Sequence, residues 1–345
     1  MDEYLVELMA QLAWPLLAGV IVLSLMVLGK GADWLVDEAV ALSERSGIPK
    51  MIIGATIVSL GTTTPEAVVS VLAAIQGVPD LALGNAVGSI ICDTGLILGL
   101  ACLIAPLPLD RRIVNRQGWI QFASGFLLVA VCVPWSRVSS VFEEGGRLPQ
   151  SVGFLFLLLL TIYLVFSVRW SRNQPVVSGL RHPDTRTDSV QSSTPLVVLK
   201  LLAAITLVVG ASTTLIPAVQ EAATRSGVPE GIIAATMVAF GTSLPELVTA
   251  VSAARQGHGE LAIGNVIGAD ILNVLFVAGA SAAVTGGGLF APSYFFSFYF
   301  PAMLFILVVF RVGVMMSGDH LRRPFGIVLL GTYLLVTILS YIGNP

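Results

Sequence analysis

The chain has 345 residues, 55% of them hydrophobic and 11% charged, with a net charge of −3. A soluble domain carries roughly 25% charged residues, so this composition excludes an ordinary water-soluble globule and makes a lipid bilayer the expected solvent. The small net charge offers nothing to a nucleic-acid partner. Cys92, Cys102 and Cys132 lie in apolar segments without metal or redox spacing, and they read as small buried hydrophobes.

A spanning helix needs ~20 mostly apolar residues. Ten segments qualify, near 12–31, 50–76, 81–105, 117–135, 150–169, 195–217, 230–254, 261–285, 292–311 and 324–342. Apolar runs of this length exceed any strand, and a spanning barrel shows ~10-residue alternating segments instead. The start, Met1-Asp2-Glu3-Tyr4, lacks the basic region of a secretory signal. Lys and Arg cluster on one set of alternate loops. With the N-terminus outside, Arg45, Lys50, Arg111, Arg112, Arg116, Arg169, Arg172, Arg181, Arg186, Lys200, Arg255, Arg311, Arg322 and Arg323 fall on cytoplasmic ends and loops, only Arg137, Arg147 and Arg225 fall outside, and Lys30 falls clearly on neither side. Both termini are therefore expected outside, in a multi-pass cell (inner) membrane protein.

The chain repeats itself at an offset of 180 residues. Residues 45–49 read RSGIP and 225–229 read RSGVP; 54–66 read GATIVSLGTTTPE and 234–246 read AATMVAFGTSLPE; 84–88 read GNAVG and 264–268 read GNVIG. Shared apolar composition would match leucines, not Gly, Pro, Glu and Asn in fixed order. Five helices per half is odd, so the second half enters the membrane from the opposite side. The expected fold is an all-α membrane protein of ten transmembrane helices in two inverted five-helix repeats. The first repeat covers 1–170, a polar cytoplasmic linker 171–194, and the second repeat 195–345. Inverted repeats are a common plan for secondary transporters, with the substrate site near the midplane between them.

Glu66 and Glu246 sit mid-span at equivalent positions, with no Lys or Arg nearby in their own segments. A carboxylate at that depth costs at least a few kcal/mol unless paired or solvated, and two such costs argue for a bound cation or proton. Before each glutamate stands a glycine with a proline four residues later, Gly61–Pro65 and Gly241–Pro245. Proline cannot donate to the preceding turn, so a break is expected, with the carbonyls near Thr62 and Thr242 freed as ligands. The hydroxyls of Thr62, Thr63, Thr242 and Ser243 add oxygens, or bond back to their own helix. Asn85, Ser89 and Asp93 share one face of the third helix, with Asn265, Ala269 and Asn273 their equivalents in the eighth. Asp270 is a further deep carboxylate off that stripe, equally suited to a ligand or a structural role. The glycines at 84, 88, 264 and 268 are expected to permit close helix packing. No Cys or His joins the set, and His182, His258 and His320 fall in predicted loops. Oxygen-only donors select hard cations, with calcium and sodium better suited than magnesium, which keeps much of its water.

The paired motifs GTTTPE (61–66) and GTSLPE (241–246), each followed by Gly-Asn-x-x-Gly, resemble the two alpha repeats of the cation/calcium exchanger superfamily, most closely its prokaryotic sodium/calcium exchangers. The resemblance implies antiport of Ca²⁺ against Na⁺ and no cofactor beyond the transported ions. It implies that Glu66 and Glu246 coordinate calcium with the carbonyls of Thr62 and Thr242. It places Thr63 and Ser243 at sodium-lining positions, Ser89 as a serine ligand on the third helix, and Asp93 and Asn273 as an acid–amide pair. Ala269 departs from the second repeat's serine, and Ile90 and Asp270 replace an asparagine, which leaves proton or potassium coupling open. A proton-coupled exchanger is the alternative, although its Gly-Asn-x-x-Glu pattern is absent. A channel is disfavoured by the inverted repeat, and an intramembrane enzyme by the lack of a zinc motif or a Ser–His or Ser–Lys arrangement at depth.

Overall fold

The computed structural model describes residues 2–172, 193–227 and 241–342. The predicted linker falls almost wholly outside these residues, as do residues 230–240 of the predicted seventh span. The described residues are almost entirely helical. In chain order the helices are α1 (Asp2–Gln11), α2 (Trp14–Ser46), α3 (Lys50–Thr62), α4 (Thr64–Ile75), α5 (Pro79–Ile104), α6 (Arg111–Cys132), α7 (Gln150–Arg172), α8 (Thr194–Arg225), α9 (Leu244–Arg255), α10 (Gly259–Val284), α11 (Phe295–Met316) and α12 (Arg323–Ile342). Among the described residues seven helices are long and apolar enough to cross a membrane, or eight if the bent pair α3–α4 is one span. The chain is thus a multi-pass membrane protein.

Two short ribbons mark the ends of the bundle. β1 (Leu107–Pro108) pairs antiparallel with β4 (His320–Leu321), and β2 (Gly146–Leu148) with β3 (Leu289–Ala291). Helix α6 leads from β1 to β2 and α11 from β3 to β4, so the two ribbons cap opposite ends. Lys50 Nζ lies 3.2 Å from His258 Nδ1, joining the start of α3 to the turn before α10. Burial first, and the Lys50 charge second, hold the His258 imidazole below its ordinary pKa; the neutral ring then accepts from Lys50. His258 is therefore a built contact rather than a solvated loop residue. At the other end Arg225 donates to the carbonyls of Met9, Ala10 and Leu12.

Burial separates core from rim. The apolar window of α10 is 94% buried and that of α5 is 72% buried, whereas that of α12 is only 11% buried. An apolar helix so exposed needs lipid around it, while α10 is surrounded by protein. Helix α2 is one continuous element of 33 residues. The hydropathic window near 12–31 ends early because its last four turns are amphipathic, with Leu35, Val36, Ala39 and Leu42 buried and Asp37 and Glu44 outward. Helices α2 and α8 pack along each other as a long pair beside the core. Helix α3 crosses α10 with almost no space between backbones. A Cβ on Gly54 would lie 2.6 Å from the Leu261 carbonyl oxygen, and one on Gly268 would lie 2.6 Å from that of Ala55. Close packing is thus observed at Gly264 and Gly268; the repeat-equivalent partner of Gly84 and Gly88 lies outside the described residues.

Candidate functional site

The bend between α3 and α4 is 44° and falls at Thr63. Pro65 occupies the first turn of α4 and supplies no N–H to the Gly61 carbonyl one turn back. Ser243 opens α9 in the same way, with φ/ψ of −83/11 against −82/−2 at Thr63. Each glutamate consequently falls in the first turn of a half-helix, where the positive end of the backbone dipole favours an anion. Both glutamates are buried: Glu66 and Glu246 are each 1% exposed.

The polar contacts between the halves are arranged in pairs that the repeat relates. Thr62 Oγ1 lies 3.5 Å from Asn265 Oδ1, and its counterpart Thr242 Oγ1 donates to Asn85 Oδ1 at 3.1 Å. Asn85 Nδ2 donates to Ser70 Oγ at 2.9 Å and to the Glu66 carbonyl at 3.4 Å. Thr63 donates across the halves to Glu246 Oε1 at 3.0 Å rather than back to its own helix. Asp93 and Asn273 are each other's repeat equivalents, and Asn273 Nδ2 donates to Asp93 Oδ2 at 3.4 Å. A pair of equivalent residues in contact lies on the pseudo-twofold relating the halves. Both occupy π-helical stretches, Cys92–Ile97 in α5 and Asn273–Ala278 in α10. Such turns insert one residue into the helix and recur at functional sites. Ser89 and Ser243 are buried as well, with Ser243 beside Asp93.

Asp270 lies to one side. Its Oδ2 accepts from Thr94 Oγ1 and from Gln121 Nε2, both at 2.5 Å. Sequence reasoning did not single out Thr94 or Gln121; the available signal was Gln117 and Gln121 one turn apart in an apolar helix. The four carboxylates repel one another: Glu66 feels Glu246 and Asp93, and Asp93 feels Glu246 and Asp270. Among the described residues each leaves one oxygen without a protein partner, as does the Asn273 side-chain oxygen. Buried charges persist only when something compensates them. Among the described residues no three His, Cys, Asp or Glu side chains converge on one point. A cation here would therefore draw on hydroxyl, amide and carbonyl oxygens around a carboxylate pair, a donor set of hard-ion type.

The family model described as sodium/calcium exchanger protein matches residues 16–169 and again 196–342, one match per half. The chain belongs to the sodium/calcium exchanger family. It is 32% identical to the sodium/calcium exchanger MaX1 of Methanosarcina acetivorans, with 94% of this chain and 98% of that protein covered. It is 31% identical to the inner membrane protein YrbG of Escherichia coli, covering 96% and 98%. Its fold is similar to that of the sodium-calcium exchanger NCX_Mj, with a TM-score of 0.78 at 23% identity over 96% of this chain and 99% of the other. Members of this family are exchangers, and this exchanger-family chain is a membrane transporter rather than an enzyme.

Proposed function

We propose that this protein is a secondary antiporter exchanging Ca²⁺ for Na⁺ by alternating access, with one cation site between its two halves. The observation that carries the reading is the Glu66–Glu246 pair. Two carboxylates are buried at repeat-equivalent positions, each with an oxygen unpartnered among the described residues, and both stand in the first turn of a helix beside repeat-related Thr–Asn contacts. Calcium would bind Glu66 and Glu246 with the Thr62 and Thr242 carbonyls. Sodium ions would occupy positions among Thr63, Ser243, Ser89, Asp93, Asn273 and the same glutamates, with Asp270 a further ligand or a neighbour that tunes the charge. One Ca²⁺ or several Na⁺ balance this negative charge in alternation, and mutually exclusive occupancy is what antiport requires. The names of the relatives MaX1 and NCX_Mj agree with this ion pair.

The full architecture we infer is ten spans, as two inverted five-helix repeats at 1–170 and 195–345 joined by a cytoplasmic linker at 171–194. The separate family matches to the two halves support it, as do the ribbons capping opposite ends. The Lys/Arg bias favours both termini outside, in the cell membrane.

Two measurements test the reading. ⁴⁵Ca²⁺ uptake into proteoliposomes at fixed membrane potential is expected with internal sodium and no pH gradient. Uptake driven only by a pH gradient would move the protein to proton coupling. The Asp93–Asn273 contact supplies the second test. Asp93→Asn removes one deep charge and is expected to raise the calcium half-saturation by about fivefold or more, the weight of a unit charge at contact distance. Adding Asn273→Asp in the same chain is expected to restore most of the loss, because the two positions are equivalent and face each other. A double variant no better than Asp93→Asn would show that position, not charge, governs the pair.

A further inference from the structure

A second polar line runs from Glu246 toward the end of the bundle that carries Lys50 and His258. On α9, Glu246, Thr249, Ser252 and Gln256 are spaced three, three and four residues apart and share one helix face. Thr249 is fully buried, and its hydroxyl has no partner among the described residues, although a helical threonine ordinarily bonds its own preceding turn. Ser252 is buried and donates to Asp33 Oδ1 on α2 at 2.6 Å; Gln256 Nε2 reaches the same oxygen at 3.4 Å. One helical turn along α2 stands Asp37, exposed, with Glu38 beside it held by Trp34 and Lys200. The lane therefore carries hydroxyl, amide and carboxylate groups from the acidic end at Asp37 to a site glutamate.

The repeat does not duplicate it. The positions equivalent to Asp33 and Asp37 are Thr213 and Pro217, and those equivalent to Thr249 and Ser252 are Val69 and Leu72. Packing alone, acting on both halves alike, gives no reason for a carboxylate bonded to a hydroxyl between these two helices on one side only. Helix α2 belongs to the long α2–α8 pair beside the core, so the Asp33 contact joins a peripheral element to a core helix.

We propose that Asp33, Ser252 and Thr249 form a cation way-station between the Lys50–His258 end and Glu246, serving exchange from that face alone. This rests on the exchanger reading above. A hard cation leaving Glu246 meets the Thr249 hydroxyl, then the Ser252 hydroxyl and the Asp33 carboxylate. In the conformation described, the Asp33–Ser252 bond closes the lane, and displacement of α2 from α9 frees the carboxylate oxygen for the ion.

The test is the calcium half-saturation on each face separately, in right-side-out and inverted membrane vesicles, for wild type, Asp33→Asn and Asp33→Ala. Asparagine still accepts from Ser252 and Gln256, so it keeps the contact and removes only the charge. The expected result is a rise of up to about thirtyfold for Asp33→Asn, the weight of one unit charge against a divalent cation at contact distance in water, on the Lys50–His258 face and no change on the other. Asp33→Asn behaving as wild type on both faces overturns the proposal, and a change in Asp33→Ala alone would make the contact a latch without ion binding. Equal shifts on both faces also overturn it, since the effect would then pass through the central site. Thr249→Val is the companion variant: it removes an unpartnered hydroxyl and keeps the shape, so folding is preserved, and a rise on the Lys50–His258 face alone is expected. Absence of calcium transport in the wild type would defeat the exchanger reading itself, a different outcome from any of these.

Discussion

Glu246→Gln is expected to abolish calcium transport while the protein remains folded, and Glu66→Gln to do the same. The glutamine keeps an acceptor for the Thr63 hydroxyl, so the contact between the halves survives. What disappears is one of two buried carboxyl groups. Desolvating an ion costs several kcal/mol in real proteins, so the empty variant is no less stable than the empty wild type. The stability difference appears only with ligand. At 100 times its dissociation constant a ligand stabilises the form it binds by about 2.7 kcal/mol, and this increment is expected to vanish in both variants. Thermal unfolding in detergent with and without Ca²⁺, beside ⁴⁵Ca²⁺ uptake, reads both effects. Uptake retained in both variants would remove the glutamate pair from the site.

The parts of the fold and site that were legible in the sequence are those written locally and written twice. Gly61–Pro65 announces its break because proline's missing donor acts one turn away, and the break falls at Thr63; at Gly241–Pro245 the described residues show a helix starting after Ser243. Asp93 and Asn273 were recognisable as partners because the repeat aligns them. What was not legible depends on which helices meet. Thr94 and Gln121 close on Asp270 from positions 176 and 149 residues away in the chain, and Ser252 meets Asp33 from 219 away. No local periodicity records such pairings. The π-helical stretches at Cys92–Ile97 and Asn273–Ala278 were silent for a different reason. One inserted residue in an apolar run leaves the run apolar, and only the backbone hydrogen bonds register it.

The close crossing of α3 and α10 makes the strongest prediction about folding. A methyl group added at Gly268 would sit 2.5 Å from the Ala55 Cα and 2.6 Å from the Ser59 hydroxyl, and one added at Gly264 would meet the backbone of Met51. The Ala55 and Met51 obstacles are backbone, which no rotamer change relieves, so the helices must separate. Overpacking costs typically about 1–3 kcal/mol, occasionally more. Separation also acts on the site, because the same crossing holds Thr62 within 3.5 Å of Asn265. Gly268→Ala is therefore expected to yield folded protein, and with half the cost falling on the ion-holding geometry its calcium affinity falls by about two- to twelvefold. The double variant Gly264→Ala/Gly268→Ala is expected to lose the monodisperse peak in size-exclusion chromatography. Gly29→Ala, whose added methyl meets nothing within 4 Å, is the control and should elute as wild type. A double variant that elutes and transports normally would mean that α3 and α10 can move apart without cost, and that the Thr62–Asn265 contact has no part in holding the ion.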